Sequence, residues 1–199
     1  MLNEKFVIVG GVLTLIGSSG YAIDTLRGKT QPNRITWFLW ALAPLIAFAA
    51  EIVQGVGLRS LMTFMAGFGP LMVFGASLVN RKAFWQASRL DYVCGALSVV
   101  ALSFWALTRS GDIAIAFSIL ADLTAGLPTI VKAYREPETE DARFFLLYAI
   151  SALITLLTIT TWSFANMAFP LFSLILCVML FVLIKFKPGK RRPSDQILP

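Results

Sequence analysis

Asp122 lies about ten residues from either end of an apolar stretch, and no other acidic residue of this sequence sits so deep in one. If that stretch crosses hydrocarbon, an ionised carboxylate at its centre costs several kcal/mol unless it is paired, protonated or hydrated. Two chemistries follow. Asp122 can couple a proton or another cation to some movement of the chain, or it can sit as a neutral acid donating to a nearby carbonyl.

Trp37 and Trp40, in the run WFLW, share one face of a helix. Aromatics near a membrane interface commonly act as belt anchors, whereas deeper ones can stack on a sugar or a ring-shaped vitamin. Six further residues could form ion-pair gates at the ends of the apolar runs. Asp24 could meet Lys132 or Arg135 at one end, and Glu51 could meet Arg109 or Arg59 at the other. Each of these acids could equally be a solvated helix end. Pro44, Pro70, Pro128 and Pro170 all fall inside apolar runs, where a proline removes a backbone hydrogen bond and bends the helix, giving either a hinge or a static kink.

Other chemistry lacks its residues. Histidine is absent, which removes the commonest general base and metal ligand. Cys94 and Cys177 lie in separate apolar runs and read as packing residues. There is no phosphate-binding glycine loop, zinc spacing or nucleophile elbow. An intramembrane enzyme would need two polar groups to converge, and only Asp122 lies deep enough. Neither an enzyme, a cofactor nor a metal site is expected.

The elements that must hold these residues are apolar. Hydrophobic residues make up 57% of the 199 and charged residues 14%, with a mean hydropathy of +0.76, while soluble domains carry about 25% charged residues. Seven runs are long enough, at close to 20 residues, to cross ~30 Å of hydrocarbon. They cover Phe6–Leu26, Ile35–Val53, Leu61–Val79, Tyr92–Leu107, Ile113–Tyr134, Phe144–Thr161 and Ala168–Phe186, the fourth being the shortest. The first is too long for a signal-peptide core and lacks a small-residue cleavage site, so it is read as retained. An all-α membrane protein is expected.

The net charge of +6 is a topology signal here rather than a nucleic-acid footprint. With seven alternating spans, fourteen of the seventeen Lys and Arg residues share one side with the C-terminus, leaving Lys5, Arg59 and Arg109 on the other. Basic loops stay cytoplasmic. The N-terminus is therefore expected outside and the C-terminus inside, in a plasma (bacterial inner) membrane. Omitting the fourth span would erase the asymmetry. The basic tail from Lys185 to Arg192 should attract anionic lipid headgroups, and the acidic run Glu136, Glu138, Glu140 and Asp141 reads as a solvated loop.

An offset of 108 residues lays the first three runs over the last three. It pairs Arg27 with Arg135, Ala41 with Ala149, Trp37 with Phe145, Trp40 with Tyr148, and Thr14 with Asp122. Two three-helix units of the same orientation need an inverting helix between them, and such parallel repeats hold their site at the interface. Residues 1–80 are thus expected to form the first unit, 81–112 the linker helix with its flanking loops, 113–187 the second unit and 188–199 the tail. Thr14 and Asp122 should then face one another near a central cavity.

The stretch Pro128 to Glu140, PTIVKAYREPETE, resembles the PQ-loop repeat: Pro128, Lys132, Tyr134, Arg135, Thr139 and Glu140 fall on the pattern, and Thr129 stands where the family usually has Gln. In the first unit Gly20 stands for the proline, with Arg27, Lys29 and Thr30 following and Trp37 opening the next helix. The resemblance implies the PQ-loop and SWEET superfamily, its three-plus-one-plus-three layout, and transport of a small solute by alternating access; some relatives are receptors. It also marks Pro128 and Gly20, with Pro44, as hinges. The Trp37 and Trp40 spacing is similar to a motif of vitamin-transporting relatives. Sugar-transporting relatives place Asn in helices 3 and 7, where this chain has Thr63, Ser77 and Ser173. The expected partners are a small solute, the bilayer and a further copy of the chain. The alternative is a receptor or sorting protein of the same fold that binds without translocating.

The charge split carries its own test. A fluorescent protein fused to the C-terminus should mature and fluoresce in cells, and a periplasmic reporter enzyme fused there should stay inactive; the opposite pair of results would reverse the topology.

Overall fold

The computed structural model describes residues 2–53, 57–80, 83, 85–107 and 111–189. Arg81, Lys82, Arg109 and most of the basic tail lie outside the described residues, as does the side chain of Glu51. Among the described residues the chain is helical, with no strand. Its helices are α1 (Phe6–Leu26), α2 (Arg34–Val53), α3 (Ser60–Val79), α4 (Arg89–Leu107), α5 (Gly111–Arg135), α6 (Ala142–Thr158) and α7 (Phe164–Phe186), with short 3-10 turns at Gly57–Arg59 and Pro137–Thr139. Four stretches are long and apolar enough to cross a membrane: Phe6–Leu26, Gly57–Val79, Ile115–Arg135 and Asn166–Phe186. Helix α6 is a shorter apolar helix.

Side-chain caps set several helix starts. The Asn33 side chain accepts from the backbone N–H groups of Ile35 and Thr36 at 3.1 and 3.3 Å, satisfying donors that the first turn of α2 leaves open. Helix α4 begins at Arg89 rather than Tyr92, because Asp91 accepts from both the backbone N–H and the hydroxyl of Ser88 at 2.5 Å. Asp91 also accepts from the Asn33 side-chain amide, joining the starts of α2 and α4. Helix α7 starts at Phe164, ahead of the expected Ala168, since Ser163 caps the N–H of Asn166. Past α1 the chain reverses at Gly28, whose φ of 76° lies in the left-handed region that favours glycine.

Helix α1 packs against α3 and α6, and α3 also packs against α2. Helix α7 packs against α5 and α6, α5 packs against α2, and α4 lies on α5 and α2. Exchanging α1 with α5, α2 with α6 and α3 with α7 maps these contacts onto one another, apart from those of α4. All four prolines expected inside spans lie within helices. Close crossings fall at small residues: a Cβ on Gly67 would come within 2.8 Å of the Ala41 carbonyl oxygen and 2.6 Å of Leu45 Cγ.

Gly67→Ala should therefore force α2 and α3 apart and destabilise the protein by ~1–3 kcal/mol, the usual cost of overpacking. Gly75→Ala, in the same helix with nothing within 4 Å of the new methyl, should instead stabilise the protein by up to ~1 kcal/mol. Thermal unfolding in detergent compares the two.

Candidate functional site

Helix α5 carries Asp122 and is held by side chains of its neighbours. Pro128 lacks the N–H that would bond the carbonyl of Thr124, so this part of α5 has a gap in its own ladder. Around the gap, Trp40 Nε1 donates to the Asp122 carbonyl at 3.0 Å and Thr36 Oγ1 to the Ala125 carbonyl at 2.7 Å. Ser98 of α4 donates to the Ala121 carbonyl at 2.8 Å and shares a 2.7 Å hydrogen bond with the Thr124 hydroxyl. The Trp40 ring reaches α5 because Gly126 has no Cβ; one there would lie 2.9 Å from Trp40 Cζ2.

This pinning directs the Asp122 side chain into a cavity lined from α2, α3, α5, α6 and α7. Asp122 is 6% exposed, and its Oδ1 has no hydrogen-bond partner. Trp40, Pro44, Pro70, Tyr148, Ser173 and Cys177 share the lining. The cavity opens about 40 Å³ to the centres of water molecules. Each water needs ~10–15 Å³ of such space, so about three or four fit.

Between the cavity and the ends of α1 and α5 lies a layer of rings. Trp37 is fully buried, with its centroid 4.6 Å from Tyr21, 5.1 Å from Phe144 and 5.7 Å from Trp40. Phe145, which the 108-residue offset sets against it, is 6.4 Å away. Full burial makes Trp37 a core residue rather than a belt anchor.

Beyond the rings is a buried ion pair. Lys132 Nζ lies 2.5 Å from Glu140 Oε1, and both side chains are 0% exposed. The second Glu140 oxygen accepts from the Tyr21 hydroxyl at 2.5 Å, and Lys132 also donates to the Gln31 carbonyl while lying 5.4 Å over the Trp85 ring. The backbone N–H of Gln31 donates to the Thr139 carbonyl at 2.9 Å. Farther out, Arg143 pairs with Asp24 at 2.5 Å and Asp141 at 3.0 Å, and Lys29 pairs with Asp24 at 3.4 Å.

Several expected placements are corrected here. Asp24 meets Arg143 and Lys29 instead of Lys132 or Arg135, because Lys132 turns inward to Glu140 while Arg135 is exposed. Glu140 and Asp141 are buried, so half of the acidic run read as solvated is structural; Asp141 caps α6 by accepting from the Arg143 N–H at 2.9 Å. Thr14 donates to the Gly10 carbonyl at 3.1 Å and lies outside the described lining of the Asp122 cavity. Gly20 has nothing within 4 Å of where its Cβ would be, and Pro44 lines the cavity. On the opposite side, Arg59 lies 3.9 Å from Glu4; the Glu51 gate falls outside the described residues. Tyr21 and Trp85 were not singled out in the sequence. Tyr21 had a signal, one turn ahead of Asp24 on the same helix, whereas Trp85 had none.

No protein-family model, characterised protein or solved structure matches the chain.

Lys132→Met should destabilise the protein by ~3–5 kcal/mol, because it strands a buried carboxylate. Lys132→Met combined with Glu140→Leu should recover most of that loss. A double-mutant cycle on unfolding in mixed micelles measures the coupling, and additive effects would show that the pair does not act as a unit.

Proposed function

We propose that this chain is a plasma-membrane transporter of a small solute, with seven spans arranged as two parallel three-helix bundles, α1–α3 and α5–α7, joined by α4. The bundles move about the cavity at Asp122 and expose it alternately to the two sides. The observation that carries this reading is the buried, unpartnered Oδ1 of Asp122 in a cavity lined from both bundles. The exchange pattern among helix contacts supports the repeat, and the PQ-loop-like stretch at Pro128 supports the family.

In this reading the ends of α1 and α5 face the cytoplasm. Tyr21, Lys132 and Glu140 with the Trp37 layer form the closed inner gate, reinforced by Asp24 and Arg143. Opening inward exchanges these contacts for water at the mouth. Pro128 and Pro44 lie where α5 and α2 can bend, and Trp40 and Tyr148 flank the solute.

Purified protein in proteoliposomes should accumulate its solute on the trans side. Asp122→Asn should reduce that uptake at least about tenfold, a loss of ~1.4 kcal/mol of binding or coupling, with an unchanged unfolding midpoint. A variant that kept the parental rate and pH dependence would remove Asp122 from the mechanism. Saturable binding with no uptake of any bound solute would make the protein a receptor.

A further inference from the structure

The lining of the Asp122 cavity is chemically one-sided. Among the described residues Asp122 is the one carboxylic acid of the lining, which holds no Lys or Arg, and no Lys or Arg forms an ion pair with it. Its Oδ1 is buried without a partner, whereas Glu140, another buried acid, is engaged through both oxygens. Around Asp122 the walls are largely aromatic, with Trp40, Phe144, Phe145, Tyr148, Phe169 and Phe172 all in the lining. Ring faces are negative and attract a cation within about 6 Å, most strongly where water is excluded.

What the lining lacks is equally informative. Tyr148, Ser173 and Cys177 are few polar side chains for a sugar, whose many hydroxyls would be desolvated without partners. A zwitterion such as an amino acid would bring a carboxylate to a lining whose described residues include no cation to receive it.

Resting on the transporter reading above, we infer that the cavity receives a small organic ammonium ion: one cationic nitrogen on an apolar body, with no carboxylate of its own. Asp122 is its counter-ion, and the rings of Trp40, Phe144 and Tyr148 enclose its apolar part. The present cavity has room for an ammonium head with one or two carbons. A larger ion displaces the α7 rings Phe169 and Phe172.

The test is calorimetric titration of the full chain in detergent with methylammonium, tetramethylammonium and choline, beside 3,3-dimethylbutan-1-ol, the uncharged isostere of choline, and glucose and alanine. At least one ammonium ion should bind saturably. The uncharged isostere should bind at least about tenfold more weakly than choline, and Asp122→Asn should weaken ammonium binding by at least about tenfold. Equal binding of choline and its isostere, unaltered affinity in a folded Asp122→Asn protein, or no ammonium binding at all would overturn the inference. If the variant does not fold, the isostere comparison on the parental protein decides. Ammonium binding without vesicle uptake would overturn transport and leave this inference standing. Uptake of a neutral solute without ammonium binding would do the reverse.

Discussion

Burying a lysine beside a glutamate costs several kcal/mol of lost hydration for each ion, and their attraction offsets this only when the remaining valences are also filled. Lys132 and Glu140 meet that condition together. The carboxylate takes Lys132 on one oxygen and Tyr21 on the other, and the ammonium adds the Gln31 carbonyl and the face of Trp85. Those partners come from α1, the α1–α2 connection, the α3–α4 connection, α5 and the segment between α5 and α6. One charge pair thereby fixes where five parts of the chain meet. The Asp24 and Arg143 pair beyond it has a mostly exposed arginine, so it adds little by comparison.

The same requirement explains the middle of α5. A proline frees a carbonyl, and in an apolar surrounding neighbouring side chains must meet the polar groups of the disturbed turn. Beside the Thr124 carbonyl that Pro128 leaves free, Thr36, Trp40 and Ser98 donate from α2 and α4 to the carbonyls of Ala125, Asp122 and Ala121. Interhelical bonds of this kind average only ~0.6 kcal/mol in membrane proteins. Their value here is positional, since they fix the rotation of α5 and with it the direction of Asp122. Trp40 has two duties, bonding the backbone of residue 122 and lining the cavity that its side chain enters.

Helices and their prolines were readable because hydrophobic runs and backbone chemistry are local properties. The 108-residue offset also set Trp37 against Phe145 and Trp40 against Tyr148; the rings of the first pair lie 6.4 Å apart and both members of the second line the cavity. The same offset misled at Thr14, whose hydroxyl satisfies itself on the carbonyl one turn back, a bond that an ionised aspartate has no proton to make. Glu140 was misread for a different reason. A run of acids looks solvated residue by residue, and only the fold brings Lys132 and Tyr21 to one member of it. Asp24 lost its expected partner through that same event, since a lysine committed to a buried carboxylate is no longer available to an outer one.

Glu140 and Asp122 show how one side-chain type takes two roles in a single core. Both are at least nine-tenths buried. Glu140 is given a cation and a hydroxyl, so its charge is spent internally and the surrounding segments are locked. Asp122 is given an aromatic chamber and a free oxygen, with its backbone held rigidly while its carboxyl group has no protein partner on that atom. A fold selected for stability alone would fill such a site with an apolar residue of similar volume, because an unsatisfied buried polar atom costs ~1–3 kcal/mol. Retaining an acid there makes sense when its partner arrives from outside the chain. The locked pair and the open carboxylate therefore divide one core between them, the first with all its partners inside the chain and the second with an oxygen left to the cavity.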